Sequence, residues 1–154
     1  MDTHLPPLEP PSGRIEGNRH FYPVRVFFED TDLSGIAYHA NHLKWCERAR
    51  SDLLRCLGID QRAAQEAGEG VYAVSRAAIH WRLPARLDDV LMVETAAANL
   101  RAASAEMVQT ITRGGDVIAR IEIVAAFLSA EGRPKRQPAR WREAFERFID
   151  KDIA

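Results

Sequence analysis

The sequence has almost no net charge, no long apolar runs and no surplus of basic residues. Its 21 lysine and arginine residues are balanced by 22 acidic residues, which leaves a formal net charge of -1. This balance gives no basic field to favour binding to nucleic acid or to an anionic membrane surface. No apolar stretch is long enough to span a bilayer, and the N-terminal residues lack the apolar core of a signal peptide. We therefore expect a cytoplasmic protein with no nucleic-acid partner, no membrane span and no cofactor.

Cysteine is also scarce, since Cys46 and Cys56 are the only two. They fall on one predicted helix, about 15 Å apart by helical rise, which is too far for a disulfide. We expect two reduced thiols that fill space. His39 and His42 have an i, i+3 spacing that suits metal ligands, but neither cysteine is placed to supply a third ligand. The sequence predicts no metal site.

One domain is expected, because 154 residues with 46% hydrophobic content can bury one sizeable core but not two. Residues 1–19 contain four prolines and little to bury. This composition predicts a disordered, proline-rich lead-in. Residues 20–154 are then predicted to form the single domain.

The hydrophobic pattern predicts one strand, a long helix and then a run of strands. Residues 21–28 are rich in aromatic and β-branched side chains and predict the first strand. Residues 40–57 repeat apolar side chains at helical spacing, and Gly58 marks the end of that helix. A short helix at 60–67, four strands at 71–83, 90–100, 104–113 and 117–129, and a last helix at 141–149 follow. This order predicts an α+β domain in which an antiparallel five-stranded sheet wraps around one long central helix.

Ionisable side chains crowd the junction between the first strand and the long helix, in EDTDLSGIAYHANHLKWCERAR, residues 29–50. Such a junction can place a carboxylate beside the free N–H groups of a helix N-terminus, where an anion or a polarised carbonyl is held. Asp30 and Asp32 also suit turn or capping roles, because aspartate bonds readily to its own backbone two residues on. From the residues alone, the turn interpretation is the stronger one for both.

A longer stretch around this junction, VRVFFEDTDLSGIAYHANHLKWCERARSDLLR (residues 24–55), resembles the hotdog-fold acyl-CoA thioesterases. Within them it is similar to the 4-hydroxybenzoyl-CoA thioesterase group and the Tol-Pal-associated (YbgC-like) group. AVSRAAIHWRLPARLDDVLMVET (residues 73–95) carries the same resemblance, and EGRPKRQP before the last helix carries it more loosely. The resemblance spans about residues 20–148 and implies a hotdog fold.

The resemblance also implies hydrolysis of an acyl thioester. The aspartate at the Asp32 position attacks the acyl carbon or activates water, and the backbone N–H at the His39 position polarises the carbonyl. Gly35, Tyr38, Asn41 and Glu47 are the supporting residues. Two interpretations of the His39 side chain stay open: it orients Asp32, the substrate or a water, or it is a hydrogen-bonded residue at the helix start.

The long helix has charged residues on two faces. Glu47 and Arg50 lie on or beside its apolar stripe, so we predict a buried ion pair that fixes the helix. Lys44, Arg48, Asp52 and Arg55 are predicted to form a solvated face. Asp30 is expected to be structural, because strand alternation sends it away from Glu29. Trp45, Trp81 and Trp141 are expected to pack, and Trp81 can also form an apolar wall near an acyl pocket.

Coenzyme A carries phosphates, so a binder needs basic side chains near its pocket. The candidates, none of them assigned firmly, are Arg76, Arg82, Arg101, Arg133, Lys135 and Arg136. The substrate is predicted to be an acyl-CoA thioester, with acyl carrier protein thioesters as an alternative. A non-catalytic acyl-thioester-binding scaffold beside the Tol-Pal envelope complex is a further alternative, and a dehydratase of the same fold is disfavoured by the motif. The resemblance implies a homodimer or homotetramer with active sites between protomers.

Overall fold

One antiparallel sheet is the largest element of the computed structural model, which describes residues 7–153. Among these residues there are six strands: β1 (Arg14–Glu16), β2 (Arg19–Arg25), β3 (Val71–Trp81), β4 (Val90–Leu100), β5 (Ser104–Arg113) and β6 (Asp116–Leu128). Their order in the sheet is β1-β2-β4-β5-β6-β3, which leaves β1 and β3 at the two edges. The helices are α1 (Asn41–Cys56), α2 (Gln61–Glu66) and α3 (Ala139–Glu146). None of these helices is long and apolar enough to cross a membrane.

Helix α1 packs its apolar side on the sheet. Trp45, Cys46, Ala49 and Leu53 recur at three- and four-residue spacing and are almost completely buried. They meet inward-facing side chains of the strands, which alternate along β4 and β6. The helix stops at Gly58, which has a φ of +76°, a conformation that glycine adopts without strain. The predicted long helix is confirmed to within a residue at each end.

The sheet begins earlier than predicted. Arg14–Glu16 form β1 and pair antiparallel with the start of β2, so the sheet has six strands instead of five. The prediction of disorder is therefore wrong for these three residues. Gly17, at a φ of +61°, makes the tight turn between the two short strands. Residues 1–6 of the predicted lead-in lie outside the described residues.

The prediction that Asp52 is solvated is wrong. Its carboxylate is buried and accepts hydrogen bonds from the Gly13 N–H (2.9 Å), the Ser12 hydroxyl (3.1 Å) and Nε2 of the fully buried His20 (2.7 Å). Burial opposes ionisation of Asp52, but these three donors outweigh it and lower the pKa of the carboxyl. The Cys56 thiol lies 3.7 Å from the same carboxylate. Asp52 thus ties the segment before β1 to helix α1.

The predicted Glu47–Arg50 pair forms, but only one member is buried. The Glu47 side chain is 61% exposed, whereas that of Arg50 is 9% exposed. Arg50 also donates to Oε1 of the buried Gln109 on β5 at 2.7 Å. Gln109 in turn donates to the Cys46 carbonyl and to the Thr95 hydroxyl, each at 3.0 Å. The bond between Arg50 and Gln109 therefore fixes α1 on the sheet, with Glu47 as an outer partner.

Gln109→Leu is expected to destabilise the fold by about 2–3 kcal/mol, because it removes the neutral partner of a buried guanidinium. Glu47→Ala is expected to cost less than about 1 kcal/mol, since an exposed ion pair contributes little and Arg50 keeps Gln109. Denaturant unfolding of the two variants checks this ranking. A larger loss for Glu47→Ala than for Gln109→Leu would show that the outer ion pair fixes the helix.

Candidate active site

A tight turn between β2 and α1 projects Asp32 outward. Thr31 bridges to Ala37, the Asp32 N–H donates to the Ile36 carbonyl (3.1 Å), and the Gly35 N–H donates to the Asp32 carbonyl (3.0 Å). Gly35 has a φ of +78°, which a residue with a Cβ adopts only with strain. The predicted supporting role of Gly35 thus has a geometric basis, because it closes the turn that holds Asp32 at its tip.

The Asp32 carboxylate is held by one oxygen and is free at the other. Oδ1 accepts the Ser34 backbone N–H at 2.8 Å and also the Ser34 hydroxyl. Between residues 7 and 153, no group hydrogen-bonds to Oδ2. The Ser34 hydroxyl, the Ser34 N–H and the nearby His39 lower the pKa of Asp32. The turn interpretation of Asp32 is confirmed, and the turn leaves an ionised carboxylate with one oxygen exposed to solvent.

Asp30 fixes the entry to this turn. The predicted first strand is too long, because Phe28–Asp30 form a 3₁₀ turn instead of the strand end. The buried Asp30 carboxylate accepts the Phe27 N–H at 2.8 Å. The Asp30 carbonyl accepts the Tyr38 N–H and Asn41 Nδ2, both at 2.8 Å. Asp30 is therefore structural as predicted, but the cause is this local turn and not strand alternation.

His39 lies two residues before the first residue of α1, Asn41, and has a free main-chain donor. Its N–H has no hydrogen-bond partner in the described part of the chain. This is expected near a helix start, where the first N–H groups have no partner within the helix. Its carbonyl accepts Trp81 Nε1 and His42 Nδ1, both at 3.1 Å. The end of β3 is thus tied to the start of α1, and Trp81, which is 44% exposed, lies beside the site.

The side chains around His39 separate into exposed and buried groups. The His39 ring packs against Tyr38 with centroids 4.5 Å apart and meets the edge of Trp81 at 5.8 Å. Tyr38 and His39 are exposed, whereas Asn41 and His42 are buried. Burial lowers the pKa of His42, which favours its neutral form. His42 thus turns inward, while Tyr38 and His39 face the solvent near Asp32.

Glu47 lies apart from this cluster. It is eight residues further along the chain than His39, about 12 Å by helical rise. There it lines a separate cavity of about 90 Å³ together with Arg50, Leu54 and Met107. The structure of one chain therefore brings Gly35, Tyr38, Asn41 and His39 around Asp32, but not Glu47.

The predicted phosphate-binding residues are scattered. Arg82 follows β3 directly after Trp81, and Arg76 is exposed midway along β3. Arg101 and Lys135 lie at the opposite end of the sheet, where Arg101 pairs with Glu106 (3.6 Å) and Lys135 donates to the Glu69 carbonyl (2.5 Å). One chain alone therefore does not gather these residues around Asp32.

Sequence reasoning missed Ser34, although it supplies the hydroxyl that holds Asp32 Oδ1. The D-x-S spacing was a signal for it, because aspartate commonly bonds to the residue two positions on. It also missed the contact between Trp81 and His39, which joins residues 42 positions apart and leaves no local pattern.

Comparisons with known proteins identify the family of the chain. The model of the thioesterase-like superfamily matches residues 26–149. The acyl-CoA thioesterase YbgC of Haemophilus influenzae is 33% identical over 129 residues, covering 83% of this chain and 95% of that protein. The crystal structure of a probable thioesterase from Bartonella henselae is 32% identical, with a TM-score of 0.75 over 78% of this chain and 99% of that one.

The fold is thus the hotdog fold, and the relatives that share it at more than 30% identity are thioesterases. The chain belongs to the thioesterase-like superfamily, as a thioester hydrolase of the YbgC-like group.

Ser34→Ala is expected to raise the pKa of Asp32, because it removes a hydroxyl donor from Oδ1 while leaving the backbone N–H in place. A carboxylate that attacks a carbonyl or accepts a proton has to be ionised, so with Asp32 in such a role the acid limb of the kcat/KM profile should move to higher pH. Profiles of thioester hydrolysis from about pH 3 to pH 7 measure this shift. Thr31→Val removes a neighbouring hydroxyl that bonds to the Phe28 carbonyl and not to Asp32. An equal shift in both variants would rule out a specific effect of Ser34.

Proposed function

We propose that the chain hydrolyses acyl-CoA thioesters, with Asp32 as the nucleophile or general base. The observation that carries this proposal is the ionised Asp32 carboxylate, with one oxygen free, in the turn that leads to the unpaired His39 N–H. The name of the Haemophilus influenzae relative supports acyl-CoA as the substrate class. The proposed place of the reaction is the cytoplasm.

In this mechanism, the thioester carbonyl oxygen accepts a hydrogen bond from the His39 N–H. The positive end of the α1 dipole adds to the stabilisation of the oxyanion. Along the nucleophilic route, Asp32 Oδ2 attacks the acyl carbon, the C–S bond breaks, and water then hydrolyses the mixed anhydride. Along the general-base route, Asp32 takes a proton from the water that attacks the same carbon, the C–S bond then breaks, and the proton passes to the departing thiolate. Both routes release a carboxylic acid and the thiol of coenzyme A.

The neighbouring residues have positioning roles in this proposal. Trp81 and His42 both donate to the His39 carbonyl, so they orient the peptide group that precedes α1. Asn41 ties the first turn of α1 to the Asp30 carbonyl, at the entry to the turn that carries Asp32. The exposed rings of Tyr38 and Trp81 give the site an apolar border. The His39 side chain, exposed and near the Asp32 carboxylate, is placed to orient a water.

Asp32→Asn is expected to reduce kcat for thioester hydrolysis by at least about 100-fold, because the amide neither attacks the acyl carbon nor accepts a proton. Release of free thiol from a panel of acyl-CoA substrates is the measurement. Circular dichroism should show an intact fold, since the removed charge is exposed. Glu47→Gln serves as a matched control that neutralises an exposed carboxylate away from the site.

Three results would each overturn a different part of this proposal. Near wild-type turnover by Asp32→Asn would remove Asp32 from the chemistry. Acyl-CoA binding without any release of thiol would favour the non-catalytic scaffold over an enzyme. Faster hydrolysis of acyl carrier protein thioesters than of acyl-CoA would show that acyl carrier protein, and not coenzyme A, carries the acyl group. The proposed role of Asp32 would be unchanged.

We further propose that the working unit is at least a homodimer, paired through β3. This edge strand has 11 residues and is mostly exposed along its length, including Val74 at 46%. Its outer backbone groups have no neighbouring strand among the described residues. An unpaired edge of this length favours addition of another strand. The opposite edge is partly covered by β1.

A two-fold axis near the middle of β3 makes the paired strands antiparallel. The Val71 end of the partner's strand then lies beside the Trp81 end of this one, next to His39. Basic residues at the far end of the sheet, such as Lys135, are thereby brought towards the Asp32 site of the other protomer. This pairing provides the site with walls that one chain does not supply.

Ala77→Asp is expected to weaken the dimer and to lower specific activity on dilution, because it places like charges near the two-fold axis. Sedimentation velocity and activity, measured across the same range of protein concentration, test this link. Ala102→Asp places the same charge on an exposed alanine in the turn between β4 and β5 and should change neither quantity. A fully active monomer would contradict the shared site while leaving the chemistry of Asp32 possible.

A further inference from the structure

A groove of about 370 Å³ lies at the β2 side of the sheet, across the sheet from β3. Strand β1 pairs with β2 only through Arg19–Phe21, so the later residues of β2 have no strand on that side among the described residues. Pro11, Tyr22, Phe27 and Val90 line the groove. Phe27 is 56% exposed and Val90 is 55% exposed, which leaves an open apolar wall with an aromatic ring.

Two arginines line the same groove, Arg25 from β2 and Arg48 from α1. Neither has an ion pair within residues 7–153. No carboxylate lines the groove. The groove therefore combines two available guanidinium groups with an exposed aromatic ring, and it has no acidic lining residue to repel an anion.

This combination fits a phosphorylated aromatic ligand. A guanidinium binds phosphate through paired N–H donors, and a flat base packs against an aromatic or apolar wall. A neutral apolar ligand would not use either exposed guanidinium, and a small aliphatic carboxylate would not use the aromatic wall. Charge and shape together favour a nucleotide.

We propose that this groove binds the phosphorylated adenosine end of coenzyme A, an assignment that rests on the proposed function. Phe27 is five residues before Asp32, so their Cα atoms are at most about 18 Å apart even along an extended chain. The extended pantetheine arm, which joins the nucleotide of coenzyme A to its thioester, has a comparable length. A substrate can therefore place its phosphates at Arg25 and Arg48 while its acyl carbon lies at Asp32.

The test compares one acyl group on two carriers, coenzyme A and pantetheine, since pantetheine lacks the nucleotide. In the double variant Arg25→Ala/Arg48→Ala, the ratio of KM for acyl-CoA to KM for acyl-pantetheine is expected to rise about tenfold or more, because charge-assisted hydrogen bonds to phosphate are lost. Arg55→Ala, an exposed arginine two turns further along α1, is the matched control and should leave the ratio unchanged.

A direct binding measurement separates this inference from the catalytic proposal. Titration calorimetry with 3′-phosphoadenosine 5′-phosphate should show binding to the wild-type chain and a loss of about tenfold or more in affinity for the double variant. An unchanged KM ratio together with unchanged nucleotide affinity would overturn the groove assignment, even if Asp32-dependent hydrolysis is found. Nucleotide binding that depends on both arginines would sustain the assignment, even if no thioester is hydrolysed.

Discussion

The position of helix α1 on the sheet determines where the residues of the candidate site stand. Its apolar stripe supplies most of the attraction, but burial alone is non-directional and does not fix rotation or sliding. Polar contacts at three positions along the helix fix its rotation and its place along the sheet. They are the hydrogen bonds of Asn41 with the Asp30 carbonyl, of Arg50 with Gln109, and of Asp52 with His20. Because these contacts are buried or partly buried, a shift of the helix would leave polar groups without partners. The His39 N–H therefore stands at a defined place relative to Asp32.

The parts of the fold that follow local patterns were predictable. Strands β4 and β5 match the predicted ranges residue for residue, because alternating side chains and glycine-containing turns are signals carried by neighbouring positions. Strand β1 was missed because three residues carry too little pattern to outweigh the prolines before them. Asp52 was misjudged because its partners, Ser12, Gly13 and His20, are more than 30 residues away. The sequence around a polar residue on a helix does not reveal hydrogen-bond partners that lie so far away along the chain.

The candidate site also has a part that local sequence predicts and a part that only the packing of distant segments creates. The residues from Asp32 to Asn41 are close in sequence, and the turn they form is encoded locally by Gly35 and by the D-x-S spacing. The contact of Trp81 with the His39 carbonyl and the meeting of Arg25 with Arg48 along one groove depend on how the sheet and the helix pack. Arg48 was assigned to a solvated face because helical spacing tells which residues leave the core, but not which outer surface they share with a strand.

The lowered pKa of Asp32 restricts where catalytic power can come from. A carboxylate held by Ser34 stays ionised at neutral pH, but a lower pKa also makes it a weaker base. Within the proposed mechanism, the general-base route therefore gains less from proton transfer than it would with a carboxyl of ordinary pKa. The same two hydrogen bonds that lower the pKa also fix Oδ1. The carboxylate therefore loses little conformational entropy when Oδ2 approaches the acyl carbon. In the proposed mechanism, rate enhancement therefore rests mainly on that fixed approach and on oxyanion stabilisation at the start of α1, where the His39 N–H is free to donate.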